Sequence, residues 1–149
     1  MRVTLELHEI LLGAQAGVMR QVENKKLGRQ PAYGAGHDND WNLNVEGCLG
    51  EMALAKALKV WWSGKGEFRA PDVVDMDVRT TRHDNGCLIL HPNDPDHRRF
   101  YLVTGMNGEY QVRGWIVGQS GKVDRYWKDP TGTGRPAWVG PQSALNPIK

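Results

Sequence analysis

Cysteine is scarce in this sequence: Cys48 and Cys87 are the two in 149 residues. They stand far apart with no Cys-x-x-Cys spacing, which excludes a paired-cysteine zinc or dithiol motif. Cys48 falls in a helical pattern and Cys87 in a strand pattern, and each reads as a small buried hydrophobe. Long apolar runs are also lacking, since none approaches the ~20 residues that span a bilayer. The start, Met1-Arg2-Val3-Thr4-Leu5-Glu6, carries a charge every few residues and no continuous apolar stretch. A signal peptide is therefore not expected, and the expected location is the cytoplasm. No internal repeat or low-complexity segment interrupts the chain.

What is present is ordinary for a globular protein: 40% apolar and 24% charged residues in a length suited to one core. We expect a single domain over residues 1–149. Net charge is only +2, but it is unevenly spread. Residues 110–149 hold six basic side chains against two acidic ones, a net of +4. Residues 71–100 hold six aspartates against four arginines, a net of −2. An acidic cluster beside a basic tail suits a cation site flanked by a polyanion-binding surface.

Apolar periodicity divides the chain into helices and then strands. Val3, Leu5 and Leu7 alternate with Thr4 and Glu6 as a short strand or the lead into a helix. Ile10, Leu11, Ala14, Val18 and Val22 follow at helical spacing, fading at Asn24-Lys25-Lys26. Residues 28–41 read as a loop rich in Gly, Pro, Asn and Asp. Asn42 and Asn44 are good N-caps for a helix over residues 45–60, which is rich in Ala, Leu, Met, Glu and Lys. Strand-like runs then fall at residues 67–69, 77–81, 87–91, 100–104 and 110–117, separated by turns at 84–86, 92–96 and 106–108. From Gly118 the chain reads as an irregular segment rich in Trp, Pro and Gly, through residue 149. Helices followed by a strand meander predict an α/β or α+β domain whose central sheet is covered on at least one face. Six tryptophans and four tyrosines supply large aromatic area to bury.

Several residues are candidates for chemistry. On a helical wheel Glu51 falls roughly 20° from Leu58 and 60° from Leu54. A carboxylate on that apolar side must be compensated, by a cation site or by arginine and backbone groups. Glu46 lies in the first turn, where the helix dipole favours an acid. Asp72, Asp75 and Asp77 crowd six residues; on a strand Asp75 and Asp77 share a face, and so do Asp77 and Arg79. Hard divalent cations want converging carboxylate oxygens of this kind. Only Val73 to Met76 separate Asp72 from Asp77, so bringing both to one ion demands a tight turn, although that turn contains no Gly or Asn.

A helix bearing Gly50-Glu51 with Ala55 and Leu58, then Pro71-Asp72, then Asp77-x-Arg79 on a strand, resembles the PD-(D/E)XK nuclease superfamily. The chain as a whole resembles small uncharacterised proteins of tailed bacteriophages, through Trp41-Asn42, Val78-Arg79-Thr80-Thr81, Gly114-Trp115-Ile116 and Pro141-Gln142-Ser143-Ala144-Leu145. The resemblance implies a restriction-endonuclease-like mixed central β-sheet flanked by helices, and hydrolysis of DNA phosphodiesters with Mg²⁺ or Mn²⁺. Carried across, Glu51, Asp72 and Asp77 become the metal-holding carboxylates. Arg79 takes the place of the family lysine, able to stabilise the phosphorane but not to act as a base. Arg82, Arg113, Arg125 and Lys128 are the expected nucleic-acid contacts. Trp115, Trp127 and Trp138 are placed among basic residues either to stack on bases or to close the core.

Three functional readings follow: a nuclease, the same fold without catalysis binding nucleic acid or a host protein, and a small phage assembly component. Besides DNA, the expected partners are a second copy of the chain or a phage or host protein; a membrane is not expected. Loop residues His37, Asp38, Asp40 and Trp41 suggest a groove lining or helix caps. His91, Asp94, Asp96 and His97 make a metal cluster on paper, but Pro92 and Pro95 favour an irregular turn.

Overall fold

The structure, a computed structural model, describes residues 1–29, 40–67, 69–130, 132 and 134–148. Two helices precede the main run of strands. Strand β1 (Arg2–Thr4) leads into α1 (Leu7–Lys26). The Glu9 carboxylate accepts the Glu6 N–H at 2.7 Å, which satisfies a donor at the start of that helix. Helix α2 (Asp40–Leu58) begins earlier than its asparagines suggest, so Asn42 and Asn44 lie inside it rather than capping it. Asn44 instead donates to Gln21 Oε1 at 2.5 Å, a bond between the helices.

The two helices form an antiparallel pair along a stripe of small residues. A Cβ at Gly13 would collide with Leu49, and one at Gly17 would lie 2.8 Å from the Asn44 carbonyl oxygen. At Gly17 the backbones approach too closely for any side chain, whereas at Gly13 the obstruction is the end of the Leu49 side chain. The docked face of α1 is thus Gly13, Gly17 and Gln21. Leu11, Val18 and Val22 from the helical apolar pattern remain exposed. The helix forms where its periodicity predicts, but the glycine stripe decides which side packs.

Strands β2 (Met76–Thr81), β3 (Leu88–Leu90), β4 (Arg99–Met106) and β5 (Glu109–Val117) arise where β-branched and aromatic runs predict strands. Among the described residues of 67–69 no strand forms, and Phe68 lies outside the described residues. The main sheet is mixed, in the order β1-β5-β4-β2. Strand β2 runs parallel to β4, while β4 and β5 form an antiparallel hairpin. Helix α2 covers one face, burying Leu49, Ala53 and Leu54 with Val78, Tyr101, Val103 and Val112.

Beyond β5 the chain is more regular than its composition suggests. A short helix α3 (Gly118–Gly121) precedes strands β6 (Trp127–Lys128) and β7 (Ala137–Gly140). With β3 these make a second sheet, ordered β3-β7-β6. Strand β3 pairs with β7 and leaves the main sheet, and Leu88 and Leu90 pack on Phe100, Leu102 and Ile116. The domain is α+β, with a mixed central sheet between the α1–α2 pair and this smaller sheet. No helix among the described residues is long and apolar enough to cross a membrane.

Candidate functional site

The site is built around strand β2, whose alternating side chains serve two faces. Met76 and Val78 join the core beneath α2, and Thr80 lies against Gly50 of that helix. Asp77 and Arg79 point the other way, toward the loop before β4 and the second core cluster. Asp77 pairs with Arg98 at 3.1 Å. Arg79 donates to Asp94 at 2.7 Å and to the Ile89 carbonyl at 3.1 Å, and its guanidinium stands 5.2 Å from the Phe100 ring centre. As β2 is an edge strand, its second edge is open for the preceding residues to fold back upon.

They do so through a tight turn. The Met76 N–H donates to the Val73 carbonyl at 2.8 Å, and the Val73 N–H returns to Met76 at 3.0 Å. Neither central residue is Gly or Asn, and Val74 accordingly holds φ at +55°. That conformation is an outlier for a β-branched side chain and stores on the order of 1–3 kcal/mol. The turn lays Asp72 along the open edge of β2. Its N–H reaches the Met76 carbonyl at 2.9 Å, and its carboxylate accepts the Val78 N–H at 2.8 Å. Asp75 lies in the turn rather than on the strand, where it makes an exposed pair with Arg99 at 2.9 Å.

Glu51 approaches from the helical side of β2 and is buried. Its two oxygens accept from Arg20 at 2.6 and 2.8 Å, and the Trp62 indole N–H donates to one of them at 2.9 Å. Burial acts to lower the Arg20 pKa, but hydrogen bonding and charge from Glu51 outweigh it and raise the pKa. Neither Arg20 nor Arg98 stands out in the sequence. Arg20 had one signal: it falls three residues after Gly17 and seven after Gly13, on the docked stripe of α1. A cation on that stripe requires an acid across from it.

Asp72 lies between the two faces and is treated differently by its surroundings. Burial, then the charge of Glu51 and that of Asp77, push its carboxyl up to about 7, against the opposing Val78 N–H and Arg79. Among the described residues no guanidinium hydrogen-bonds to it. Burial also raises Asp77, despite the proximity of Arg98. Of the three acids, Glu51 and Asp77 each bond to an arginine, whereas Asp72 accepts only the Val78 N–H among the described residues. Among the described residues no three His, Cys, Asp or Glu side chains are disposed to hold a metal ion jointly. Glu51 is saturated by Arg20 and Trp62, and both oxygens of Asp77 accept from Arg98 at 3.1 and 3.2 Å, so Asp72 is the acid of the three that no guanidinium engages among the described residues. Mg²⁺ is commonly held by one or two carboxylates, with the remaining positions filled by water and substrate phosphate.

The remaining candidates disperse. Asp94 of the 92–96 turn accepts from Arg79 and from the His91 N–H at 2.7 Å, while Asp96 pairs with Lys122 at 2.7 Å. Glu46 accepts the Tyr110 hydroxyl at 2.5 Å and so ties α2 to the β4–β5 hairpin. Burial pushes the Cys48 thiol up to about 12, so it is not a nucleophile at neutral pH. Arg113 is engaged by Thr104 and Asp84; Arg82, Arg125 and Lys128 are exposed. Trp127 and Trp138 pack on each other at 4.4 Å, and Trp115 stacks near Tyr101. His37 and Asp38 lie outside the described residues. No family model, curated protein or solved structure matches the chain.

Proposed function

We propose that the protein is a metal-dependent DNA phosphodiesterase of restriction-endonuclease-like type, with Asp72 as the anchor of a Mg²⁺ or Mn²⁺ ion. The observation that carries this reading is the placement of Asp72, a buried carboxyl that accepts a backbone N–H and no guanidinium among the described residues. A strained turn places this carboxylate at an open strand edge between two other acids and gives it no arginine. Buried acids whose pKa is raised by neighbouring acids cluster at functional sites. Asp77 supplies the second oxygen donor once Arg98 yields it. Glu51, held by Arg20, acts on Asp72 through its charge. When bound, such an ion supplies a nucleophilic hydroxide near neutral pH and offsets phosphoryl charge. Arg79 shares the Asp77 face, and its planar guanidinium suits a pentavalent phosphate.

A second reading, DNA binding without hydrolysis, is favoured by Arg20 and Arg98, which already occupy Glu51 and Asp77. Cleavage assays on branched, single-stranded and duplex DNA, with Mg²⁺ or Mn²⁺, separate the two. The expected result is cleavage that Asp72→Ala lowers by more than the ~10–100-fold typical of a change one layer from the metal. Cleavage that survives this substitution removes Asp72 as anchor. No cleavage, with DNA binding intact, establishes the second reading.

A further inference from the structure

A cavity of about 410 Å³ lies between β2 and the second sheet, and its lining is chemically divided. Part of its wall is apolar, from Ile89, Leu102 and Val139. The charged part is Arg79 and Arg135, with His83 and His91 beside them. None of the lining residues is acidic among those described. Arg79 is only partly spent: of its five N–H donors, one serves Ile89 and one serves Asp94. Its Nη1 group makes no bond to the described protein. Burial and the Arg79 charge lower the His91 pKa, so this imidazole adds a neutral polar group rather than a third cation.

We propose that this cavity binds a nucleoside monophosphate, with its base against the apolar wall and its phosphate on Arg79 and Arg135. Ligand pockets of roughly 300–1,000 Å³ combine mostly apolar walls with a few polar groups that fix orientation. A free inorganic anion would leave Ile89, Leu102 and Val139 unmatched, and a purely apolar ligand would leave Arg135 and the open Nη1 group of Arg79 unmatched. A compact molecule with a flat apolar ring at one end and a dianion at the other satisfies both. Guanidinium binds phosphate through paired N–H donors, a geometry that a lysine cannot supply. Arg79 is shared with the proposed phosphodiesterase site, but this binding needs no cation at Asp72.

The test is calorimetric titration of the full chain in EDTA with deoxyadenosine monophosphate, deoxyadenosine and inorganic phosphate. The monophosphate is expected to bind at least tenfold more tightly than either fragment. Arg135→Glu, a change at an exposed side chain, should weaken it tenfold or more, and His83→Glu should weaken it in the same direction. Working in EDTA keeps the result independent of any metal-dependent cleavage. The proposal is overturned if no probe binds, if phosphate alone binds as tightly as the nucleotide, or if Arg135→Glu has no effect while circular dichroism shows it folded.

Discussion

Glu51 and Asp72 are both carboxylates set against strand β2, yet the molecule treats them in opposite ways. Glu51 receives a two-pronged guanidinium and an indole N–H. Asp72 receives one backbone N–H, with Glu51 and Asp77 acting against its charge. The first arrangement satisfies every oxygen and holds α1 to α2. The second leaves a charge that only a proton or a cation can neutralise. Burial alone therefore does not mark a functional acid; what matters is whether the neighbourhood has already answered it.

Removing Glu51 should have the largest effect. Glu51→Ala strands the mostly buried Arg20 and is expected to cost about 3–5 kcal/mol, the usual penalty for halving a buried pair. Urea unfolding should show the loss, while Arg20→Met with Glu51→Leu should recover much of it. A Glu51→Ala protein as stable as wild type would erase the contrast with Asp72.

Asp72→Asn should act in the reverse sense. The folded state binds the Asp72 proton more tightly than the unfolded chain, whose aspartates titrate near 3.9. For this group stability is complete below pH ~4 and is lost as pH rises through about 7. Asparagine stays neutral, so at pH 8 the variant should be the more stable protein, by up to about 4 kcal/mol, and at pH 4 nearly equal. Millimolar Mg²⁺ should stabilise the wild type at pH 8 more than at pH 5 and should not stabilise the variant. Equal pH profiles for the two proteins would show that Asp72 is as well compensated as Glu51.

Much of the framework behind this contrast was legible in the sequence. Strands β2, β4 and β5 formed where alternation and β-branched residues predicted, and Glu51 faced inward as its wheel position required. Partner choice was not legible. Nothing local distinguishes Arg20 from a solvent-facing arginine until Gly13 and Gly17 are seen to form the docking stripe. The turn at Val74 was obscured because a β-branched residue there contradicts turn propensity. The second sheet was missed for a related reason. Strands β6 and β7 are short and lie among Gly and Pro; β6 pairs only with β7, and β7 is stabilised by pairing with β3, a contact distant in sequence.

The contact between α2 and β2 gives a smaller effect and a sharper diagnostic. Gly50 faces Thr80, whose hydroxyl is buried without a hydrogen-bond partner among the described residues. A Cβ at position 50 would lie 2.8 Å from Thr80 Cγ2 and 2.9 Å from its Cβ, so Gly50→Ala must push β2 away. Overpacking of this kind costs about 1–3 kcal/mol, against a gain of about 1 kcal/mol in helix propensity, for a net loss near 1 kcal/mol. Adding Thr80→Ala removes both the obstruction and the unsatisfied hydroxyl, so the double variant should match or exceed wild type in thermal unfolding. Because Asp72 is fixed to the edge of this same strand, the single variant should also shift the pH dependence assigned to Asp72, and the double variant should restore it. Recovery of stability without recovery of the pH profile would mean that the Asp72 environment is set by the 73–76 turn and not by the seating of β2 on the helix.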